Sequence, residues 1–297
     1  MKLFFLLLAS AGLLAGGTPA RAQIVVGISI SERLHLRHEP VLATVTVTNQ
    51  TGRDITLADS RQGQWFSFQI TREGDQFIAP RDPDYHLAPL PLRAGETVKR
   101  TVNLNDLYSL GDFGIFRIRA NIYYAAADRY FSSKPTHIEI TEGRVLWRRA
   151  AGVPDGQKGS GQTRVFTMLA HQRGEYNLLY VRVEDQDDGT VFCTNPLGRI
   201  IDNVTPEMQF DSRNNLYVLQ FVGMHRFALS RIGVNGEFLG QSYYTATKNR
   251  PAFRKQADGT LQLVGGKREE VAQNPQNAAH LPPPPKLSER PPGLPKN

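Results

Sequence analysis

The chain has 297 residues, with 35 basic against 28 acidic side chains and a formal charge of +7 at pH 7. That length suits two domains of ordinary size. A single cysteine, Cys193, excludes an intrachain disulfide, and no stretch joins a basic stripe to aromatic residues as nucleic-acid binding requires.

The first 22 residues, MKLFFLLLASAGLLAGGTPARA, run from a lysine through an apolar block at residues 3–14 to Ala20-Arg21-Ala22. This is the layout of a secretory signal peptide ending in a small-x-small cleavage site. Cleavage is expected before Gln23, leaving a secreted or periplasmic protein. A bilayer span takes about 20 uninterrupted apolar residues, and neither this block nor any later segment reaches that length, so no membrane span is expected. Loss of Lys2 and Arg21 lowers the charge from +7 to +5.

Residues 23–141 alternate with a period of two. Val41, Ala43, Val45 and Val47 share one face, with Thr44, Thr46 and Thr48 on the other. Phe66, Phe68 and Ile70 repeat the pattern, as do Phe116, Ile118, Ala120 and Ile122 against Arg117, Arg119 and Asn121. Half-buried antiparallel strands require this alternation, and NQTGRD, REGD, RAGET and SLGDFG supply turns between them. About seven strands are predicted. DLYSLGDFGIFRIRA and RAGETVKRTVNL resemble the strand entries of bacterial immunoglobulin-like domains, which implies a β-sandwich. Trp65 has no disulfide to pack against. His35 and His38, three apart in an extended run, are predicted on opposite faces, solvent-facing or satisfied, and not as metal ligands.

Residues 142–266 repeat themselves. PEMQFDSRNNLYV at 206–218 and PAFRKQADGTLQL at 251–263 each place a proline ten residues before a leucine. Leu179-Tyr180-Val181 matches Leu216-Tyr217-Val218 from 37 residues upstream, with Gly198 and Gly236 set in equivalent places. Each unit reads as a Pro-led strand, a turn, a Leu-x-aliphatic strand and a hairpin. Asn235-Gly236 suits a tight primed turn in which both residues tolerate positive φ. Met208 and Phe253 are expected in one inward, largely buried position and Leu216 and Leu261 in another, with Tyr217 and Gln262 facing away.

RIGVNGEFLG followed by DGTLQLV resembles blades of NHL-type propellers, implying degenerate hairpin repeats over residues 178–266. The 124 residues at 143–266 hold about three such units, and a closed propeller takes at least four. The second unit carries an insertion of seven residues within QSYYTATKNR, expected as a protruding loop or hairpin end, with Tyr243 and Tyr244 as a candidate contact surface or else packed back on the domain. EDQDDG at 184–189 is predicted to be an Asp-Gly hairpin turn, because the twelfth position of a calcium loop would fall on Asn195. GQKGSGQ at 156–162 lacks phosphate-loop spacing and is predicted to be a plain loop. Cys193, in a β-like run, reads as a buried structural thiol.

The last segment, residues 267–297, holds eight prolines within its final 24 residues. It is expected to be disordered with polyproline II character, either a solvated tail, an envelope spacer or a ligand for a proline reader. No catalytic residue, metal ligand or cofactor site is assigned. The leading expectation is an all-β, non-enzymatic binding or structural protein of the cell envelope, its partner a protein or another envelope component. A hydrolase or lyase with a site on the repeats, and a protein-interaction or inhibitor module, are the alternatives.

Overall fold

The computed structural model describes residues 23–201 and 204–269. The expected signal peptide and, beyond Glu269, the expected tail lie outside the described residues. The fold is all-β apart from short turns of helix. In chain order, β1 (Gln23–Ile30), β2 (Leu34–Leu36), β3 (Leu42–Gln50), β4 (Ile55–Leu57), β5 (Phe66–Arg72), β6 (Gln76–Phe77), β7 (Leu90–Leu92) and β8 (Thr97–Asn103) precede one helical turn, α1 (Leu104–Leu107). β9 (Gly114–Tyr124), β10 (Arg129–Ser132) and β11 (Thr136–Thr141) follow.

Two sheets share one core, as the alternation predicts. One has the order β1-β3-β8; the other runs β2-β11-β9-β5-β6, with β10 also paired to β9. β2 runs parallel to β11. Ala43, Val45 and Val47 of β3 point inward with Phe66, Phe68 and Ile70 of β5 and Phe116, Ile118 and Ile122 of β9. Outward threonines pair across β3 and β8, hydroxyl to hydroxyl, at 3.0 Å for Thr44–Thr101 and 2.9 Å for Thr48–Thr97; such cross-strand pairs fix register. Trp65 is buried, and its indole N–H donates to Leu87 O at 3.1 Å. That satisfied donor lets the ring anchor an immunoglobulin-like sandwich with no disulfide behind it.

The rest of the chain is a stack of up-and-down sheets. β12 (Arg144–Gly152), β13 (Thr163–Arg173), β14 (Tyr176–Asp185) and β15 (Val191–Ile200) form the first. β16 (Glu207–Phe210), β17 (Leu216–Gly223), β18 (Arg226–Ile232) and β19 (Phe238–Thr245) form the second; β20 (Ala252–Lys255) and β21 (Leu261–Val264) form a lone hairpin, and β22 (Lys267–Arg268) returns to pair with β19. Phe166, Met168, Leu179, Val181 and Val183 of the first sheet pack on Leu216, Val218 and Ile232 of the second. β13 is buried on both faces. Its opposite side puts Leu169, with Tyr180 of β14, against Leu36 of β2.

The two Pro-led segments are the same hairpin. Met208 pairs with Val218 and Phe210 with Leu216, as Phe253 pairs with Leu263 and Lys255 with Leu261. Their turns close alike: Asp211 N–H donates to Asn215 O and Gln256 N–H to Thr260 O, with positive φ at Asn214 (59°) and Gly259 (82°). Their surroundings differ. Met208 packs on the second core, while Phe253 meets the ring of Tyr217 edge-on at 6.4 Å. Leu216 is fully buried, whereas Leu261, Met208 and Phe253 are half-buried rather than largely buried. Among the described residues the third unit consists of two strands, β20 and β21.

Three expectations need correction. Leu179-Tyr180-Val181 lies in the third strand of its sheet and Leu216-Tyr217-Val218 in the second strand of the next. Similar text there reported a shared facial period, not a shared strand. The true counterpart of Leu197-Gly198 is Leu239-Gly240: both glycines have large positive φ, 108° and 125°, and both sit in the fourth strand opposite a register shift. Gly236 instead ends a turn in which its N–H donates to Gly233 O at 2.9 Å and Gly233 N–H to Glu237 O at 2.8 Å. Only Gly236 there, not Asn235, has positive φ (86°), and a Cβ on it would stand 2.9 Å from Cys193 Sγ. The turn is therefore longer than a two-residue primed turn, and backbone conformation and close approach both select glycine.

The insertion does not protrude from Gln241. Residues 241–245 complete β19, with Tyr244 paired to Phe227 on one side and Arg268 on the other. Pairing with β22 satisfies backbone groups that a loop would leave to water, and the loop proper is residues 246–250. β22 also carries the described fold past the expected boundary at residue 266, because Arg226 grips the Glu269 carboxylate at 2.8–3.1 Å.

Candidate functional site

Alternation in β5 buries Phe66 and Phe68 and turns Ser67 and Gln69 outward. Asn121 of β9 sits directly opposite Ser67. These outward positions form one wall of a groove of about 510 Å³ in the sandwich. Phe77 of β6, Pro80, Asp82 and Tyr85 of the segment that follows it, and Tyr130 of β10 also line the groove.

Backbone bonds hold that segment in place. Ile78 N–H donates to Ile70 O at 2.9 Å, Arg81 N–H donates to Leu107 O at 2.7 Å, and Pro80 forms a bridge with Tyr108. Gln64 Nε2 donates to Pro83 O at 2.7 Å. The groove is thus built before any ligand arrives, which spares a ligand the cost of ordering it. Its rings are presented rather than hidden: Phe77 is 58% and Tyr130 50% exposed, and Tyr130 is backed by the Tyr123 ring at 4.8 Å. Tyr85 is half-buried, and burial raises its phenol above the ordinary range. Ser132 Oγ donates to Asn121 Oδ1 at 2.7 Å, fixing that amide.

The edge of β5 inside the groove is closed. Tyr108 accepts the Phe68 N–H at 3.1 Å and donates to Phe68 O at 2.9 Å through one buried hydroxyl. An incoming strand finds these two ladder groups taken. Aromatic faces, amide side chains and the exposed Asp82 carboxylate remain as the means of recognition, a composition suited to binding an extended ligand that is neutral or carries positive charge.

The residues singled out from sequence lie elsewhere. Tyr243 is under the Arg226 guanidinium, 4.2 Å from the ring centroid, and donates to Gln241 Oε1 at 3.0 Å. Tyr244 lies beside it in β19, so both belong to a paired strand. Cys193 packs on the second core, and burial pushes its thiol up to about 12, an inert state at neutral pH. In 184–189, Asp185 Oδ1 accepts the Asp187 N–H at 2.8 Å and Gly189 has φ 70°, a hairpin turn. Asp185 is also ion-paired with the buried Arg164.

His35 and His38 are not on two faces of a strand. His35 ends buried in β2 with Nε2 3.1 Å from Glu32 O, and His38 falls in the following turn at φ 66°. Glu39 two residues earlier than β3's lead-in Val41 draws the chain round, its Oε2 accepting the Leu36 N–H at 2.9 Å. Sequence reasoning passed over the groove because Ser67, Phe77, Asn121 and Tyr130 come from four strands. Phe77, an apolar residue next to the polar turn REGDQ, was the one local sign.

No protein-family model matches the chain, and no curated protein matches it. Among solved structures, the periplasmic chaperone SfaE is similar at 9% identity over 72% of this chain and 97% of that chain, with a TM-score of 0.22. A superposition that loose transfers neither fold nor function. Among the described residues no helix is long and apolar enough to cross a membrane.

Proposed function

We propose that the chain is exported and serves as a non-enzymatic binding protein of the cell envelope, with the sandwich groove as its ligand surface. The observation that carries this reading is the preformed groove itself, in which exposed Phe77 and Tyr130 rings flank the amides of Gln69 and Asn121. Rings give contact area at small entropic cost and amides give orientation; the same groups offer little for proton transfer. Export is supported by the Lys2-to-Ala22 layout alone.

Two measurements test it. N-terminal sequencing of protein recovered from the periplasm or medium is expected to read from Gln23, and a chain retaining Met1 there would overturn export. Isotope-labelled protein titrated with decaproline, chitotriose and soluble peptidoglycan fragments is expected to show amide shifts confined to Ser67, Gln69, Phe77, Asn121 and Tyr130 with at least one of them. No response to any of the three would overturn the groove as a ligand surface.

A further inference from the structure

We propose that the groove is occupied by the chain's own proline-rich tail, which rests on reading the groove as a ligand surface and names its occupant. Twenty-eight residues follow Glu269, and they contain one short pattern twice: Pro282-x-x-Pro285-Lys286 and Pro292-x-x-Pro295-Lys296, ten residues apart. Proline fixes φ at all four positions of 282–285 and at two of the four of 292–295, which lowers the entropy lost on docking, and the carbonyls of such a segment have no internal hydrogen bonds. Aromatic-lined grooves recognise such segments by packing proline rings between aromatic faces and donating to those carbonyls.

The groove supplies each part. Phe77, Tyr85 and Tyr130 provide faces for proline rings. Gln69 and Asn121 carry amide donors, and among the described residues Gln69 has no side-chain partner. Asp82, exposed in the groove wall, and its neighbour Asp84 provide negative charge for the lysine that ends each core. The closed edge of β5 decides between two modes of peptide binding. Strand addition needs the Phe68 N–H and carbonyl, which the Tyr108 hydroxyl already holds; a polyproline II segment needs neither.

The linker is long enough. At about 3.1 Å per residue, the 13 residues from Glu269 to Pro282 span up to about 40 Å, and the 23 residues to Pro292 up to about 70 Å. By the usual scaling a single compact domain of about 250 residues is about 45 Å across, and the second Pro-x-x-Pro has a reach longer than that. Tethering puts the tail at an effective concentration of order mM, which makes even a weak site occupied.

The test uses the full chain and a full-length variant with Pro282, Pro285, Pro292 and Pro295 all changed to Ala. A fluorescent peptide of residues 279–297 is titrated into both. The tail-Ala variant is expected to bind it, and wild type at least ~10-fold more weakly, because its own tail competes at the tethered concentration. Phe77→Ala and Tyr130→Ala, each in the tail-Ala background, are expected to abolish binding while circular dichroism and melting remain those of the parent. Equal binding by wild type and tail-Ala protein, or binding indifferent to both groove substitutions, overturns the proposal. If the peptide does not bind but chitotriose or a peptidoglycan fragment moves the Ser67 and Asn121 amides, the tail is overturned as occupant while the groove stands. If nothing binds, both readings fall.

Discussion

Arg173 donates from one Nη to both carboxylate oxygens of Glu39, at 2.9 and 2.7 Å, across 134 residues of sequence. Both side chains are mostly withdrawn from water, 14% and 8% exposed. The Leu36 N–H at 2.9 Å and the Tyr180 hydroxyl at 3.2 Å complete the carboxylate's donors. The pair joins the sandwich to the first meander sheet, beside the apolar contact of Leu36 with Leu169 and Tyr180. Removing one partner of such a pair strands the other charge. Glu39→Gln is therefore expected to cost about 3–5 kcal/mol by urea unfolding, and Glu39→Gln with Arg173→Met clearly less than the sum of the single losses. Additive losses would show that the two groups do not act together.

The same junction makes stability depend on pH. Burial lowers the His35 and His171 pKa values, with Glu39 opposing and Arg173 adding to the shift in both. Burial, then Arg182 and Arg37, lowers His38 to about 4 against a weaker pull from Glu142. Each imidazole is thus neutral in the folded protein but takes a proton near pH 6.5 when unfolded. Stability is fully present above about 6.5 and is lost as pH falls from there toward 4. Urea midpoints measured from pH 7.5 to 4.5 are expected to fall through this window. His38→Asn, which keeps a residue tolerant of φ 66°, is expected to flatten the fall; an unchanged slope would exclude His38 as a contributor.

Tyr108 closes the β5 edge with a hydroxyl that both accepts and donates at Phe68, and the residue is 4% exposed. Tyr108→Phe leaves two buried backbone groups without partners, a loss of about 1–3 kcal/mol. The local signature is sharper than the global one. Hydrogen exchange at the Phe68 amide is expected to quicken in the variant relative to that at Gln69, and unchanged protection at Phe68 would count against the hydroxyl as its partner.

Faces were legible in the sequence because side-chain direction in a strand alternates regardless of what lies across from it. Ala43, Val45 and Val47, or Phe66, Phe68 and Ile70, needed only local text to be assigned inward. The hairpin turns at 211–215 and 256–260 were legible for the same reason: the chain returns on itself within a few residues. Strand identity was not. Leu179-Tyr180-Val181 and Leu216-Tyr217-Val218 obey one facial rule in different strands, and only pairing distinguishes them. The groove and the Glu39–Arg173 contact depend on residues brought together from distant strands, which no local spacing encodes.

The repeated hairpins give the last expectation. By register, Leu216 and Leu261 are the same position, as are Met208 and Phe253. Equal register does not mean equal burial. Leu216 is enclosed between two full sheets, whereas Leu261 belongs to a two-stranded unit whose Phe253 touches the second sheet at Tyr217. Leu216→Ala is therefore expected to cost about 2–5 kcal/mol, and Leu261→Ala about 1 kcal/mol, since less area leaves water there. Tyr217→Ala removes the ring on which Phe253 rests and is expected to loosen β20 and β21 without disturbing the first meander sheet. Hydrogen exchange resolves this: protection should fall at Arg254 and Gln262, a hydrogen-bonded pair of the hairpin by its register, and hold at Met168 and Val181. Equal losses at Leu216 and Leu261 would mean that the third unit is covered as the second one is, and uniform loss of protection in Tyr217→Ala would mean that the hairpin and the two full sheets unfold as one unit.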